Sequence, residues 1–214
     1  SNDGNKPVIT ADGQNYTFDA VLYATGRRPN TTNIGLENTD ITTNERGAIV
    51  VNDTCESSVP GVYAVGDVNG GPQFTYISLD DFRIVFGALT GNGHYTLKDR
   101  KNIPYTTFLT PPLARVGLTE EDAINKGYTV KTKEMLVATM PRAHVNDNLK
   151  GAFKIVVDAE SNLILGATLY SQSAEELINM IKVAMDNNIP YTYFKNQIFT
   201  HPTMAENLND LCNF

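Results

Sequence analysis

The chain has 214 residues, 41% of them hydrophobic and 19% charged, which suits a folded protein with one large or two modest cores. Its formal net charge of −7, from 24 acidic and 17 basic residues with no Lys/Arg cluster, argues against a nucleic-acid partner. No apolar run approaches the roughly 18 residues of a membrane span and the opening Ser1-Asn2-Asp3-Gly4-Asn5-Lys6 is polar, so neither a span nor a signal peptide is expected and the cytoplasm is the default location.

Lys6 to Thr10 and Asn15 to Thr17 predict the arms of a hairpin turning at Asp12-Gly13. Phe18 to Gly26, a largely apolar run closed by glycine, predicts a strand buried on both faces of a parallel sheet, and Arg27-Arg28-Pro29-Asn30 starts a crossing segment. Residues 47–51 and 61–65 read as two further strands, the second running into Gly66-Asp67. Phe74 to Thr90 spaces its apolar residues as a helix does. The charged stretch Leu97 to Asn102, followed by Ile103-Pro104, marks a domain boundary.

Beyond it, Tyr105 to Leu109 and Ala114 to Leu118 predict short strands around the breaker Thr110-Pro111-Pro112. Thr119, followed by three acids, caps a helix that runs to Lys126 and stops at Gly127. Tyr128 to Val137 extends as a strand, and Phe153 to Val157 and Leu163 to Tyr170 flank a turn over residues 158–162. Ser173 caps a helix to Asn187 whose apolar set is Leu177, Ile178, Ile181, Val183, Ala184 and Met185; a shorter helix follows at Tyr191 to Asn196.

Chemistry concentrates in His201-Pro202-Thr203-Met204-Ala205-Glu206. Proline at the first helical position puts His201 at the N-cap, with Glu206 one turn inside. A carboxylate there can accept a hydrogen bond from one imidazole nitrogen and leave the other to exchange a proton with a thiol or substrate. On these six residues alone, a solvated His beside an unrelated Glu is the plainer reading. Val62-Tyr63-Ala64-Val65-Gly66-Asp67 is a second signal, because a strand ending in Gly-Asp puts a carboxylate where α/β folds hold ligands; taken alone, a simple turn is the plainer reading. Cys55 and Cys212 form no local pair and read as ordinary thiols, with Cys212 in a terminal tail. The three histidines, His94, His144 and His201, lack metal-ligand spacing, so no metal is expected.

Taken in order, Ala24-Thr25-Gly26-Arg27-Arg28-Pro29-Asn30, Val62 to Asp67, Ala114-Arg115-Val116-Gly117-Leu118-Thr119-Glu120 and His201 to Glu206 resemble the C-terminal half of the class I pyridine nucleotide-disulfide oxidoreductases. That family includes glutathione reductase, dihydrolipoamide dehydrogenase and mercuric reductase. The resemblance implies a partial α/β dinucleotide-binding domain followed by an α+β domain with an antiparallel sheet and helices. Residues 1–29 would be the remnant of an NAD-binding domain, 30–102 the C-terminal part of an FAD-binding domain, and 103–214 a dimerisation domain. It further implies Gly26 near the nicotinamide cofactor, Asp67 on the ribitol hydroxyl of FAD, Thr75 at a helix start facing the flavin ring, His201 as the acid/base residue and Glu206 as its orienting partner, the pair serving the other subunit of a homodimer.

Gly70 to Val85, Thr110-Pro111-Pro112-Leu113 and Asn207 to Leu211 are similar to a bacterial subgroup that reduces reactive chlorine or hypothiocyanous species; Pro111-Pro112 stands where many members carry Pro-Glu. No G-x-G-x-x-G follows a strand, since Gly91-Asn92-Gly93 lacks the later glycine and follows a helix, and no C-x-x-x-x-C occurs. The expectation is a piece of a protein about twice as long. The parent would use FAD, NAD(P)H and a cysteine pair lying elsewhere to reduce a small-molecule oxidant or disulfide. The piece alone would bind no cofactor and turn nothing over, while dimerising through a domain whose apolar helix 173–187 is the argument for association. The alternatives are a non-catalytic dimerisation module, or a parent that is a dihydrolipoamide dehydrogenase or mercuric reductase.

Overall fold

The computed structural model describes residues 2–4 and 6–214, in two compact units, Ser1–Lys98 and Asp99–Phe214. The first unit opens with a three-stranded antiparallel sheet of β1 (Asn2–Asp3), β2 (Lys6–Ala11) and β3 (Gln14–Thr17), with β2 in the middle. Asp12 and Gly13 join β2 to β3 with φ of 50° and 76°, the two positive values that a two-residue turn of matching twist requires.

The parallel sheet expected next is absent among the described residues. Phe18 to Gly26 forms no strand, and Leu22 and Tyr23 are 89% and 85% exposed. Residues 47–51 and 61–65 contribute only the isolated bridges Thr43↔Ile49 and Glu56↔Tyr63. A strand buried on both faces needs hydrogen-bonding neighbours and covering layers, and no described stretch of this chain supplies them. Side-chain turns organise the region instead. Asn44 Oδ1 accepts the Arg46 and Ala48 N–H groups, and Asn52 Oδ1 those of Thr54 and Glu56. The expected helix is present as α1 (Thr75–Thr90), which buries Ile77, Asp81 and Ile84.

The second unit is built on a five-stranded antiparallel sheet in the order β4-β5-β8-β7-β6, from β4 (Tyr105–Thr107), β5 (Leu113–Gly117), β6 (Val130–Leu136), β7 (Ala152–Asp158) and β8 (Ile164–Tyr170). Between β5 and β6, α2 (Glu120–Asn125) starts at a reciprocal box in which Thr119 and Asp122 each bond the other's backbone N–H. The short α3 (Pro141–Val145) precedes β7. The β7–β8 turn is tied by Asp158, whose carboxylate accepts the Ser161 hydroxyl at 2.5 Å and its N–H at 3.1 Å.

Helix α4 (Ala174–Asp186) packs on β8 and β5 and buries Leu177, Ile178 and Ile181. Two expectations about it fail. Ser173 takes left-handed backbone (φ 66°) and makes no side-chain cap; its carbonyl, not its hydroxyl, meets the Glu176 and Leu177 N–H groups. Val183 is 57% exposed, and the rest of the apolar stripe is spent on this chain's own sheet, so it is not available to a second copy. Two short helices, α5 (Tyr191–Asn196) and α6 (Leu208–Leu211), complete the unit. Among the described residues no helix is long and apolar enough to cross a membrane.

Candidate active site

His201 and Glu206 lie between α5 and α6. The helical turn of residues 205–207 does not begin at Pro202, as the proline rule predicts; Pro202 sits in a bend, with a cis peptide to His201. The start is set by Thr203 and Glu206, three residues apart in a T-x-x-E pattern. Thr203 Oγ1 accepts the Glu206 N–H at 3.2 Å, and Glu206 Oε1 accepts the Thr203 N–H at 3.0 Å. With Oε1 so engaged, Oε2 meets His201 Nδ1 at 2.8 Å.

An ionised carboxylate only accepts, so Nδ1 carries the proton and Nε2 presents a lone pair. Nε2 has no hydrogen-bond partner among the described residues, and the imidazole is 68% exposed while Glu206 is 19% exposed. The bond from His201, helped by the Thr203 N–H and opposed by partial desolvation, holds the Glu206 carboxyl below its ordinary 4.5. The result is an oriented imidazole able to take a proton at Nε2 and return it.

Neighbouring side chains pin this segment. Asn209 Nδ2 donates to the carbonyls of Phe194 and Gln197 at 2.6 and 2.9 Å, tying α6 to the end of α5. The buried Asn207 amide bonds the Thr203 and Met204 carbonyls, and Lys133 on β6 reaches the Asp210 and Asn213 carbonyls. Cys212 is no tail thiol: it is fully buried, and desolvation pushes its pKa up to about 12 despite Lys133 nearby. It stays protonated and out of reach. Among the described residues no cluster of His, Cys, Asp and Glu has metal-binding geometry.

In the first unit, Gly66 (φ 73°) turns the chain against α1 so tightly that a Cβ there would lie 2.7 Å from Ser78 Oγ. Asp81, fully buried, accepts the Gly66 N–H at 2.7 Å and the Asn69 amide at 2.9 Å. That anchor holds the exposed Asp67 at a cleft of about 390 Å³, lined also by Arg27, Arg28, Pro29, Asn30, Val68 and Gln73. Thr75 begins α1, which has no side-chain cap and no acid in its first turn, so the positive end of the helix is uncompensated by its own residues. Thr75 and Gly26 do not line the cleft; Gly26 is exposed with φ 102°, just after a bend at Thr25.

Thr203, Asp81 and Asn209 were not among the sequence candidates. Thr203 was legible in T-x-x-E, and Asp81 in its place between Ile77 and Ile84 on a buried stripe. Asn209 gave no signal, since its partners lie 12 to 15 residues away.

The chain belongs to the pyridine nucleotide-disulphide oxidoreductases: residues 103–212 match that family's dimerisation domain and residues 1–81 its pyridine nucleotide-disulphide oxidoreductase domain. It is 45% identical to the probable pyridine nucleotide-disulfide oxidoreductase RclA of Escherichia coli, over 97% of this chain and 47% of that protein. A solved structure of RclA, described as an HOCl-induced flavoprotein disulfide reductase from Escherichia coli, superposes with a TM-score of 0.93 over 97% of this chain and 48% of that one, at 45% identity. A mercuric reductase of Staphylococcus aureus is 35% identical over 94% of this chain and 37% of its own length. The chain thus spans about half or less of the length of these curated relatives.

Proposed function

We propose that this chain is part of an FAD-dependent NAD(P)H oxidoreductase in which His201 is the acid/base residue and Glu206 holds its ring. The observation that carries this reading is the 2.8 Å contact between His201 Nδ1 and a carboxylate whose other oxygen is already engaged. As a base, Nε2 takes the proton of a thiol and releases the thiolate that attacks substrate; as an acid, it returns that proton to the departing group. Glu206 stabilises the imidazolium formed in between.

Bound FAD would carry the reducing equivalent from NAD(P)H towards a redox-active cysteine pair outside these residues. On this reading Asp67 accepts the ribitol hydroxyl, Thr75 and the start of α1 face the carbonyl side of the flavin ring, and Gly26 lies near the nicotinamide. Support comes from the anchored Gly66-Asp67 turn, the cleft beside it and the open positive end of α1. Residues 1–29, 30–102 and 103–214 are then the NAD-domain remnant, the FAD-domain part and the dimerisation domain of a cytoplasmic homodimer. The family's dimerisation domain supports the homodimer, as do Phe108 and Ile198, exposed at 80% and 95%.

For substrate we take a reactive chlorine or hypothiocyanous species, on the strength of 45% identity to RclA. Mercuric reductase or dihydrolipoamide dehydrogenase chemistry is the second reading, favoured by a match at 35% identity. The deciding experiment assays the full-length protein and its His201→Ala variant with NADH or NADPH against hypothiocyanite, lipoamide and disulfides. Turnover of the variant should fall by about 100-fold or more with the flavin spectrum unchanged; full turnover would refute the assignment. Residues 1–214 alone should show neither flavin absorbance after gel filtration nor turnover, and retained FAD would overturn that part.

A further inference from the structure

We infer that Thr203 is a positioning residue that selects the tautomer of His201. This rests on the reading of His201 as the acid/base residue and concerns how the ring is set.

A glutamate side chain rotates about three bonds and can offer either oxygen to any donor, so proximity to a histidine does not fix which nitrogen it meets. Here the hydroxyl of Thr203 donates to the Thr200 carbonyl at 2.8 Å and accepts the Glu206 N–H at 3.2 Å, bridging the backbone on both sides of His201. The Thr203 N–H takes Oε1, which leaves Oε2 aimed at Nδ1. The Asn207 amide, donating to the Thr203 and Met204 carbonyls, holds the threonine itself. A helix-capping box is therefore built into the dyad, and the carboxylate that caps the turn also orients the imidazole.

The Nδ1–H form leaves the lone pair on Nε2, the exposed-ring atom needed for proton transfer. A histidine without such a partner favours the opposite tautomer in water, with its proton on Nε2. Removing the Thr203 hydroxyl deletes its bonds to the Thr200 carbonyl and the Glu206 N–H; the turn that keeps the Thr203 N–H on Oε1 should loosen and let the ring drift towards that form.

The test uses the full-length flavoprotein labelled with ¹⁵N at histidine, with the signals of His201 assigned by loss in His201→Ala. Wild type and Thr203→Ser should show the shift pattern of Nδ1–H in the neutral ring. Thr203→Val should show a larger share of Nε2–H. Its kcat should fall by about fivefold to tenfold with little change in KM, Thr203→Ser should stay within about twofold of wild type, and Thr203→Val should cost nothing further in a His201→Ala background. Thr203→Ala, which introduces no new methyl against the turn, stands in if the valine variant does not fold.

The inference is overturned if removal of the hydroxyl leaves the tautomer unchanged, or if its kinetic cost is undiminished in the His201→Ala background. A tautomer shift alongside full activity of His201→Ala would instead refute the acid/base reading while leaving Thr203 in its positioning role.

Discussion

In residues 99–214 every strand of the sheet finds a neighbour, whereas in residues 1–98 the apolar stretch Phe18 to Gly26 joins no sheet, although the Phe18 N–H reaches the Pro7 carbonyl. In the second unit Phe153, Ile155 and Val157 alternate inward from β7 and are fully buried under α4 and α6. In the first unit the helix α1 buries Ile77 and Ile84 yet leaves Leu79, Phe82, Phe86 and Leu89 exposed at 49% to 64%. Apolar residues thus have different outcomes in the two units. Burial belongs to a pattern together with its partners, and a doubly covered strand demands more partners than a hairpin, which brings its own.

The contrast is sharpest if the units are separated. Residues 99–214 alone should unfold in one cooperative thermal transition and scatter light with the mass of two copies, while residues 1–98 alone should show no cooperative transition. A cooperative melt of the first piece, or a monomeric second piece, would break the comparison or the dimer proposal respectively.

Single truncations carry the same contrast at smaller scale. Phe153→Ala should cost about 3–5 kcal/mol by chemical denaturation, because it opens a cavity in a closed core. Phe86→Ala, on a side chain 57% exposed, should stay within about 0.5 kcal/mol. Equal costs would mean that α1 is covered after all.

Polar burial is where the first unit does depend on one residue. Asp81→Ala strands the Gly66 N–H and leaves the Asn69 amide only the Ala64 carbonyl, and should cost about 1–3 kcal/mol, with Asp81→Asn recovering part of it. An unchanged denaturation midpoint for the alanine variant would show that the Gly66-Asp67 turn holds without it.

The smallest effect is an acid one, in the second unit. Asp122 is held below its ordinary 3.8 by the Thr119 hydroxyl, Asp158 by that of Ser161, and Glu206 below 4.5 by His201. A carboxyl with a depressed folded pKa adds stability above its unfolded value and loses it as pH falls through the folded one. The melting temperature of residues 99–214 should therefore be flat down to about pH 5 and decline progressively below it. A flat profile to about pH 3 would remove these carboxylates from the stability of the unit.

Much of the second unit was legible because its signals are local. The turn residues of the β7–β8 hairpin, the acid-rich start of α2 and the apolar period of α4 each act within a few positions of themselves. The same local rules put the N-cap at Ser173 correctly but not its side-chain cap, and they misplaced the helix start at Pro202. Ser173 has the right side chain on left-handed backbone that cannot aim it, and Pro202 yielded the helix start to the Thr203–Glu206 box. In the first unit the three apolar stretches read as strands form none, because their pairing required neighbours that local pattern does not contain.

At the candidate site the residue types and their order follow from the letters, and a histidine and a glutamate five positions apart are what motivates the proposed proton transfer. Which oxygen meets which nitrogen follows only from the fold. Glu206 has one carboxylate to divide between Thr203 and His201, and the division depends on Asn207, Asn209 and Lys133 holding α5 and α6 in place. Hydrogen bonds distinguish atoms a few tenths of an ångström out of place, and that precision is reached only when segments remote in sequence have packed.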